Sequence, residues 1–128
     1  MKLRIFGNNL RLRLRRGEVE QLANGQAIEQ TAHLLPVSLV YRLEVSAAST
    51  ATARFDGGTL SVTLPRETAR RWAQADEVSI AIEIGGANQE RVSLLIEKDF
   101  KCLHGTLDDE EDCYPNPQTE IATPAEQA

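Results

Sequence analysis

The chain has 128 residues, and 41% hydrophobic with 26% charged side chains is the composition of a folded globular protein, not a disordered one. Its net charge is −5, and no apolar run approaches the ~20 residues of a membrane-spanning helix. Two cysteines exclude a disulfide framework, and the opening MKLRIF lacks the apolar stretch of a secretory signal, so a cytoplasmic location is expected.

Charge is segregated along the chain. Residues 1–16 carry Lys2, Arg4, Arg11, Arg13, Arg15 and Arg16 with no acid. Residues 102–128 carry Asp108, Asp109, Glu110, Glu111, Asp112, Glu120 and Glu126 with no base. A globally acidic protein repels phosphate, but here the acid lies mostly in an expected tail, and residues 1–101 retain a slight positive excess.

From the N-terminus, Leu3 and Ile5 alternate with Lys2 and Arg4, Gly7-Asn8-Asn9 supplies a turn, and Leu10, Leu12 and Leu14 alternate with Arg11, Arg13 and Arg15. Period-2 alternation around such a turn predicts a hairpin with one buried face. The period then changes. Val19, Leu22 and Ala23 make a helical stripe over 17–24, ended by Gly25. Strands follow at 26–32 and 38–46, joined through His33-Leu34-Leu35-Pro36.

The second half runs the same way. A strand at 51–56, Gly57-Gly58 and the alternating Leu60, Val62 and Leu64 make a second hairpin. Pro65 suits the start of a helix, where its missing N–H costs nothing. Ala69, Trp72 and Ala73 form the apolar stripe of that helix, which makes Trp72 a core residue. Val78, Ile80, Ile82 and Ile84 alternate, a loop covers 85–89, and Val92, Leu94 and Ile96 mark the last strand. Sliding the chain on itself by 50 positions superposes Arg4 on Arg54, Gly7 on Gly57, Leu10 on Leu60, Leu22 on Trp72 and Ile28 on Val78. This indicates a tandem β-β-α-β-β duplication, with repeats at about 1–48 and 51–98. One such unit is too small to bury a core alone, so the two are expected to share one as a pseudo-two-fold barrel or sandwich.

The stretch Phe55-Asp56-Gly57-Gly58-Thr59-Leu60-Ser61-Val62-Thr63-Leu64-Pro65, with Arg71-Trp72-Ala73 and Asp76-Glu77-Val78 after it, resembles the swapped-hairpin module of AbrB- and MazE-type regulators. Arg4-Ile5-Phe6-Gly7-Asn8-Asn9-Leu10 is similar to the corresponding turn of MazE-type antitoxins. The resemblance spans residues 1–98 as two copies. It implies a mainly β fold with two short helices, closed as one swapped-hairpin (double-split) β-barrel, and DNA gripped by basic residues of the first hairpin. Because both copies lie in one chain, a monomer that is a pseudo-dimer by duplication is expected. The copies differ: Arg11 and Arg13 face Ser61 and Thr63, and the helix-start proline Pro65 is Arg15 in the first. The start MKLRIFGNNLRLRL and the block from Glu97 to Leu103 also resemble a group of small bacterial proteins of unknown function.

The candidate contact surface is the basic ladder of Lys2, Arg4, Arg11, Arg13 and Arg15, placed by alternation on one face. Its bland counterpart is a solvated sheet face that resists edge pairing. A second candidate is the acidic strip Asp108-Asp109-Glu110-Glu111-Asp112, read as a partner-binding tail, an intramolecular cover for the ladder, or a solvated tail. Cys102, His104 and Cys113, with His33, are the candidate metal ligands, but no C-x₂-C or H-x₃-H spacing accompanies them, and no metal or cofactor is expected. Glu97 and Asp99 read as a solvated pair at a strand end. No nucleophile elbow, zinc-protease motif, P-loop or dinucleotide fingerprint is present, so no enzyme is expected.

The sequence therefore predicts a domain over residues 1–101 and an acidic tail over 102–128. Its function reads as a non-enzymatic binding module of bacterial regulator type, contacting nucleic acid or a partner protein through the Arg-rich hairpin. The alternative is an interaction or structural adaptor without DNA binding that uses the acidic tail.

Overall fold

The computed structural model describes residues 1–85 and 90–99. Among the described residues, eight strands and two helices follow the order β-β-α-β-β twice. They are β1 (Lys2–Phe6), β2 (Asn9–Leu14), α1 (Arg16–Ala23), β3 (Ile28–His33), β4 (Ser38–Ser46), β5 (Thr52–Asp56), β6 (Thr59–Pro65), α2 (Arg66–Gln74), β7 (Ser79–Gly85) and β8 (Arg91–Lys98).

The first hairpins turn tightly because glycine supplies the positive φ that two-residue connections need. Gly7 has φ +56 between β1 and β2, and Gly57 and Gly58 have φ +59 and +80 between β5 and β6. Each hairpin is apolar on one face only. Leu12 and Leu14 on β2, and Leu60, Val62 and Leu64 on β6, are buried while their odd-numbered neighbours are not.

The repeats are interlocked. One sheet has the order β1-β2-β8-β7 and the other β3-β4-β6-β5. The first hairpin of each repeat thus pairs with the second hairpin of the other, through a parallel central pair: β2 with β8 and β4 with β6. Neither half owns a complete sheet, and both contribute side chains to one buried cluster.

The expected closed barrel is not formed. Edges β1 and β7 bound one sheet, β3 and β5 the other, and no ladder joins the two sheets among the described residues. The physical reason is what lies between them. Val19 and Leu22 of α1 and Ala69 and Trp72 of α2 belong to the same buried cluster as Leu12, Leu14, Leu43, Val62, Leu64, Leu94 and Ile96. Sheets that sandwich side chains stand about 10 Å apart, roughly twice the spacing at which strands can hydrogen-bond. The architecture is therefore two open, mixed four-stranded sheets and two helices around one core.

The ladders also correct the repeat register beyond the helices. Ile28 pairs with Leu43, and Ile80 pairs with Ile96, so Ile28 corresponds to Ile80 rather than to the half-exposed Val78. The longer α2, with the turn after it, absorbs the shift.

Candidate surface of the first sheet

Residues directly opposite each other in a ladder share a face. Lys2 lies opposite Arg13, Arg4 opposite Arg11 and Phe6 opposite Asn9, so the outer face of β1 and β2 carries four cations, an aromatic ring and an amide. The parallel neighbour β8 adds Ser93, Leu95 and Glu97, opposite Asn9, Arg11 and Arg13, and Arg91 beyond them, and β7 adds Ala81 and Glu83. The turn between β1 and β2 is tied to β8: the Ser93 N–H donates to the Asn8 carbonyl at 2.9 Å, and Asn8 Nδ2 donates to the Arg91 carbonyl at 3.2 Å.

Glu97 organises this face. Its Oε1 accepts from Arg13 Nη2 at 3.1 Å and Nε at 3.3 Å, and stands 3.2 Å from Arg11 Nε. Its side chain is only 14% exposed. Lys2 Nζ is 3.5 Å from Asp99, a buried carboxylate whose own N–H donates to the Leu14 carbonyl at 2.7 Å. The pair expected to be solvated is instead the counter-charge of the ladder. Arg15 leaves the ladder altogether. It is the N-cap of α1, and its backbone N–H donates to Glu18 Oε1 at 2.9 Å.

Arg4 is exposed and has no carboxylate partner among the described residues. Beside it Phe6 is 78% exposed. Together with Asn9, Arg11, Ala81, Glu83, Ser93 and Leu95 they line an open cavity of about 460 Å³. Glu83, itself exposed, accepts a hydrogen bond from the Ser93 hydroxyl at 2.8 Å. Lys2, Arg4, Arg11, Arg13 and Arg91 against Glu83, Glu97 and Asp99 leave two net positive charges on the face.

The second sheet shows what is particular to the first. Leu43 corresponds to Ile96, so Glu44 takes the place of Glu97 and Thr63 that of Arg13. Glu44 accepts from Arg42 Nε at 3.0 Å and from the Thr63 hydroxyl at 3.4 Å. The Glu44 hydrogen bond and charge raise the Arg42 pKa above its ordinary value. The central carboxylate is common to both sheets, whereas the cationic first hairpin and Phe6 occur on one. Sequence reasoning missed Glu97, Asp99, Phe6 and Leu95 as parts of the site. The signal for Glu97 lay in the duplication itself: exchanged hairpins bring the last strand beside the first.

A further asymmetry lies inside. Lys98 stands where the other repeat has Val45, opposite a fully buried leucine in each case. Its Nζ donates to the Ala75 carbonyl at the end of α2 at 2.8 Å and lies 5.5 Å from the centre of the Trp72 ring. Burial lowers its pKa, and the charges of Asp76 and Glu77 pull it back upward.

His33 Nδ1 lies 3.2 Å from the Ser38 hydroxyl, and no group of three or more metal-ligating side chains forms among the described residues. Cys102, His104, Cys113 and the acidic strip Asp108-Asp109-Glu110-Glu111-Asp112 lie outside the described residues. No helix among the described residues is long and apolar enough to cross a membrane.

Residues 1–118 match a family of unknown function, DUF7009. The chain belongs to this family. The match embraces both repeats and the eight strands of the described residues, so the interlocked pair of sheets lies wholly within it. No curated protein and no solved structure matches the chain, and none therefore ties it to AbrB- or MazE-type regulators.

Proposed function

We propose that this chain is a non-enzymatic binding module, and that the outer face of the first sheet takes a short acidic and apolar segment of a partner protein. The observation that carries the reading is the pairing of the ladder. Arg11 and Arg13 are held by Glu97 and Lys2 by Asp99, which leaves Arg4 and Phe6 beside an apolar floor of Leu95 and Ala81. Duplex DNA binding draws on many phosphate contacts at once. A face with two net charges and three carboxylates is poorly suited to that, but one carboxylate for Arg4 and one apolar side chain for Phe6 and Leu95 suit it well. The exchange of hairpins within one chain supports action as a monomer.

The test is fluorescence anisotropy at about 50 mM salt, where phosphate contacts are strong. An Asp/Glu/Leu peptide, a single-stranded DNA and a duplex are compared on the wild type, Arg4→Gln and Phe6→Ala. The reading expects peptide binding that falls about fivefold in Arg4→Gln, the equivalent of ~1 kcal/mol for an exposed ion pair. It expects a comparable fall in Phe6→Ala. Tighter binding of either DNA than of the peptide, or indifference to both substitutions, would overturn it.

A further inference from the structure

We propose that the first occupant of this surface is the chain's own acidic segment, Asp108-Asp109-Glu110-Glu111-Asp112, which folds back over β1 and β2 and competes with outside partners. The inference rests on the reading of that face as a binding surface.

Two observations support it. The first is where the described chain leads. Asp99 follows β8 and is fixed beside the ladder, through its N–H to the Leu14 carbonyl and its carboxylate to Lys2. The described chain therefore ends at the Lys2–Arg13 end of the cationic face. Asp108 comes nine residues later, and nine residues span up to about 30 Å when extended. Arg4 is two residues along β1 from Lys2, about 7 Å at strand spacing. Reach is ample, and slack remains for an approach over the open side of the sheet.

The second is charge complementarity in a graded form. Arg4 has no carboxylate among the described residues, Lys2 has a 3.5 Å contact, and Arg11 and Arg13 share one carboxylate. Two guanidinium groups on a single Glu97 leave donors to spare, since each guanidinium carries five N–H groups. A run of five acids preceded by Leu107 offers carboxylates to Arg4, Arg11 and Arg13 and an apolar side chain to the Phe6–Leu95 floor.

Tethering makes weak contacts sufficient. A short linker gives an effective concentration in the millimolar range. A segment that would bind in trans with only millimolar affinity is then substantially docked in cis, and an outside competitor binds about two- to tenfold more weakly than it would to an uncovered face.

The experiment uses the full chain. Cys102→Ser leaves Cys113 as the single site for a nitroxide label, next to the acidic run. Paramagnetic broadening of backbone amides is read at about 20 mM and about 1 M salt, the latter shortening the Debye length to about 3 Å. The proposal expects broadening centred on Arg4, Phe6 and Arg11 that disappears at high salt. The same broadening should vanish in a variant carrying Asp108→Asn, Asp109→Asn, Glu110→Gln, Glu111→Gln and Asp112→Asn together, with Trp72 fluorescence confirming an unchanged core. That variant should also bind the Asp/Glu/Leu peptide two- to tenfold more tightly than the wild type. Absence of selective broadening at low salt, or broadening that survives neutralisation, overturns the proposal. If peptide binding at β1–β2 persists in that case, the binding surface stands and only its self-occupancy falls; if it does not, both fall.

Discussion

Replacing Glu97 with Gln separates the two roles assigned to that carboxylate, because stability and anion binding should move in opposite directions. Glu97 holds two arginines by contacts of 3.1–3.3 Å, and both are partly exposed, at 38% and 41%. Exposed and half-exposed pairs of this kind contribute about 0.2–1 kcal/mol each. The Gln amide oxygen keeps an acceptor in place, so the loss is mainly charge and amounts to roughly 1 kcal/mol. For a domain near 100 residues that lowers Tm by about 4–8 °C. On the face itself, one negative charge disappears within about 7 Å of any carboxylate docked at Arg11. At an effective dielectric of about 50 the relief is ~1 kcal/mol, or about fivefold in affinity for an acidic peptide at low salt. The gain should shrink toward nothing near 1 M salt. The assay is a thermal melt followed by Trp72 fluorescence, paired with peptide anisotropy on the same preparation. A lower Tm with no gain in affinity at low salt would refute the claim that Glu97 restrains the cations of a binding face. An unchanged Tm would refute the claim that it anchors them.

Three further substitutions test the frame that carries the face. Gly58→Ala should cost about 1–2 kcal/mol from its left-handed backbone alone, and more from the added Cβ, which would stand 3.3 Å from the Ser38 carbonyl. Gly57→Ala shares the positive φ but has open space around it, so urea midpoints should fall further for Gly58→Ala; equal losses would mean that the approach of β4 to the turn carries no energy. Lys98→Met keeps the buried stem and removes the Nζ donor from the Ala75 carbonyl, with an expected loss of about 1 kcal/mol near neutral pH. Because the folded-state pKa of Lys98 is lowered, the unfolded chain binds more protons there between that pKa and the ordinary value of 10.5. Wild-type stability at this group therefore rises with pH across that window, and the penalty of burying the charge is fully present below it. The difference in Tm between wild type and Lys98→Met should widen as pH is raised toward about 10; a constant or narrowing difference would contradict it.

The hairpins were legible because alternation in Leu10, Leu12 and Leu14, and again in Leu60, Val62 and Leu64, has only one physical reading beside a glycine turn. The core was legible for the same reason, down to Trp72 on the α2 stripe. Local pattern carries no information about which distant strand completes a sheet, and there the reading ran out. Nothing in residues 9–14 names residues 93–98 as their neighbours, yet the β2–β8 ladder is what sets Glu97 against Arg13. Arg15 was misplaced by extending alternation one step past the strand, into a position the helix uses as its cap. The ungapped repeat failed beyond the helices because the sheet register, not sequence distance, decides that Ile28 answers Ile80.

Hairpin exchange also explains why the candidate surface belongs to one sheet. In a duplicated chain with independent halves, the cations of the first hairpin would share a sheet with β4 and meet Arg42 and Glu44. Exchange places them instead beside β8, where Leu95 occupies the position that Arg42 holds on the other sheet. An arginine there would crowd Arg11, its direct neighbour in the ladder, with a like charge, and remove the apolar floor beneath Phe6. The central carboxylate is kept in both sheets because each needs a counter-charge at that register, to Arg42 in one and to Arg11 and Arg13 in the other. Apart from Lys98 in place of Val45, the two repeats therefore agree where they meet each other and differ where they meet outside chemistry. That is the distribution expected when duplication preserves a shared core and frees one outer face to specialise. It also locates the specialisation in substitutions from both repeats acting together: Phe6, Arg11 and Arg13 from the first, Leu95 from the second.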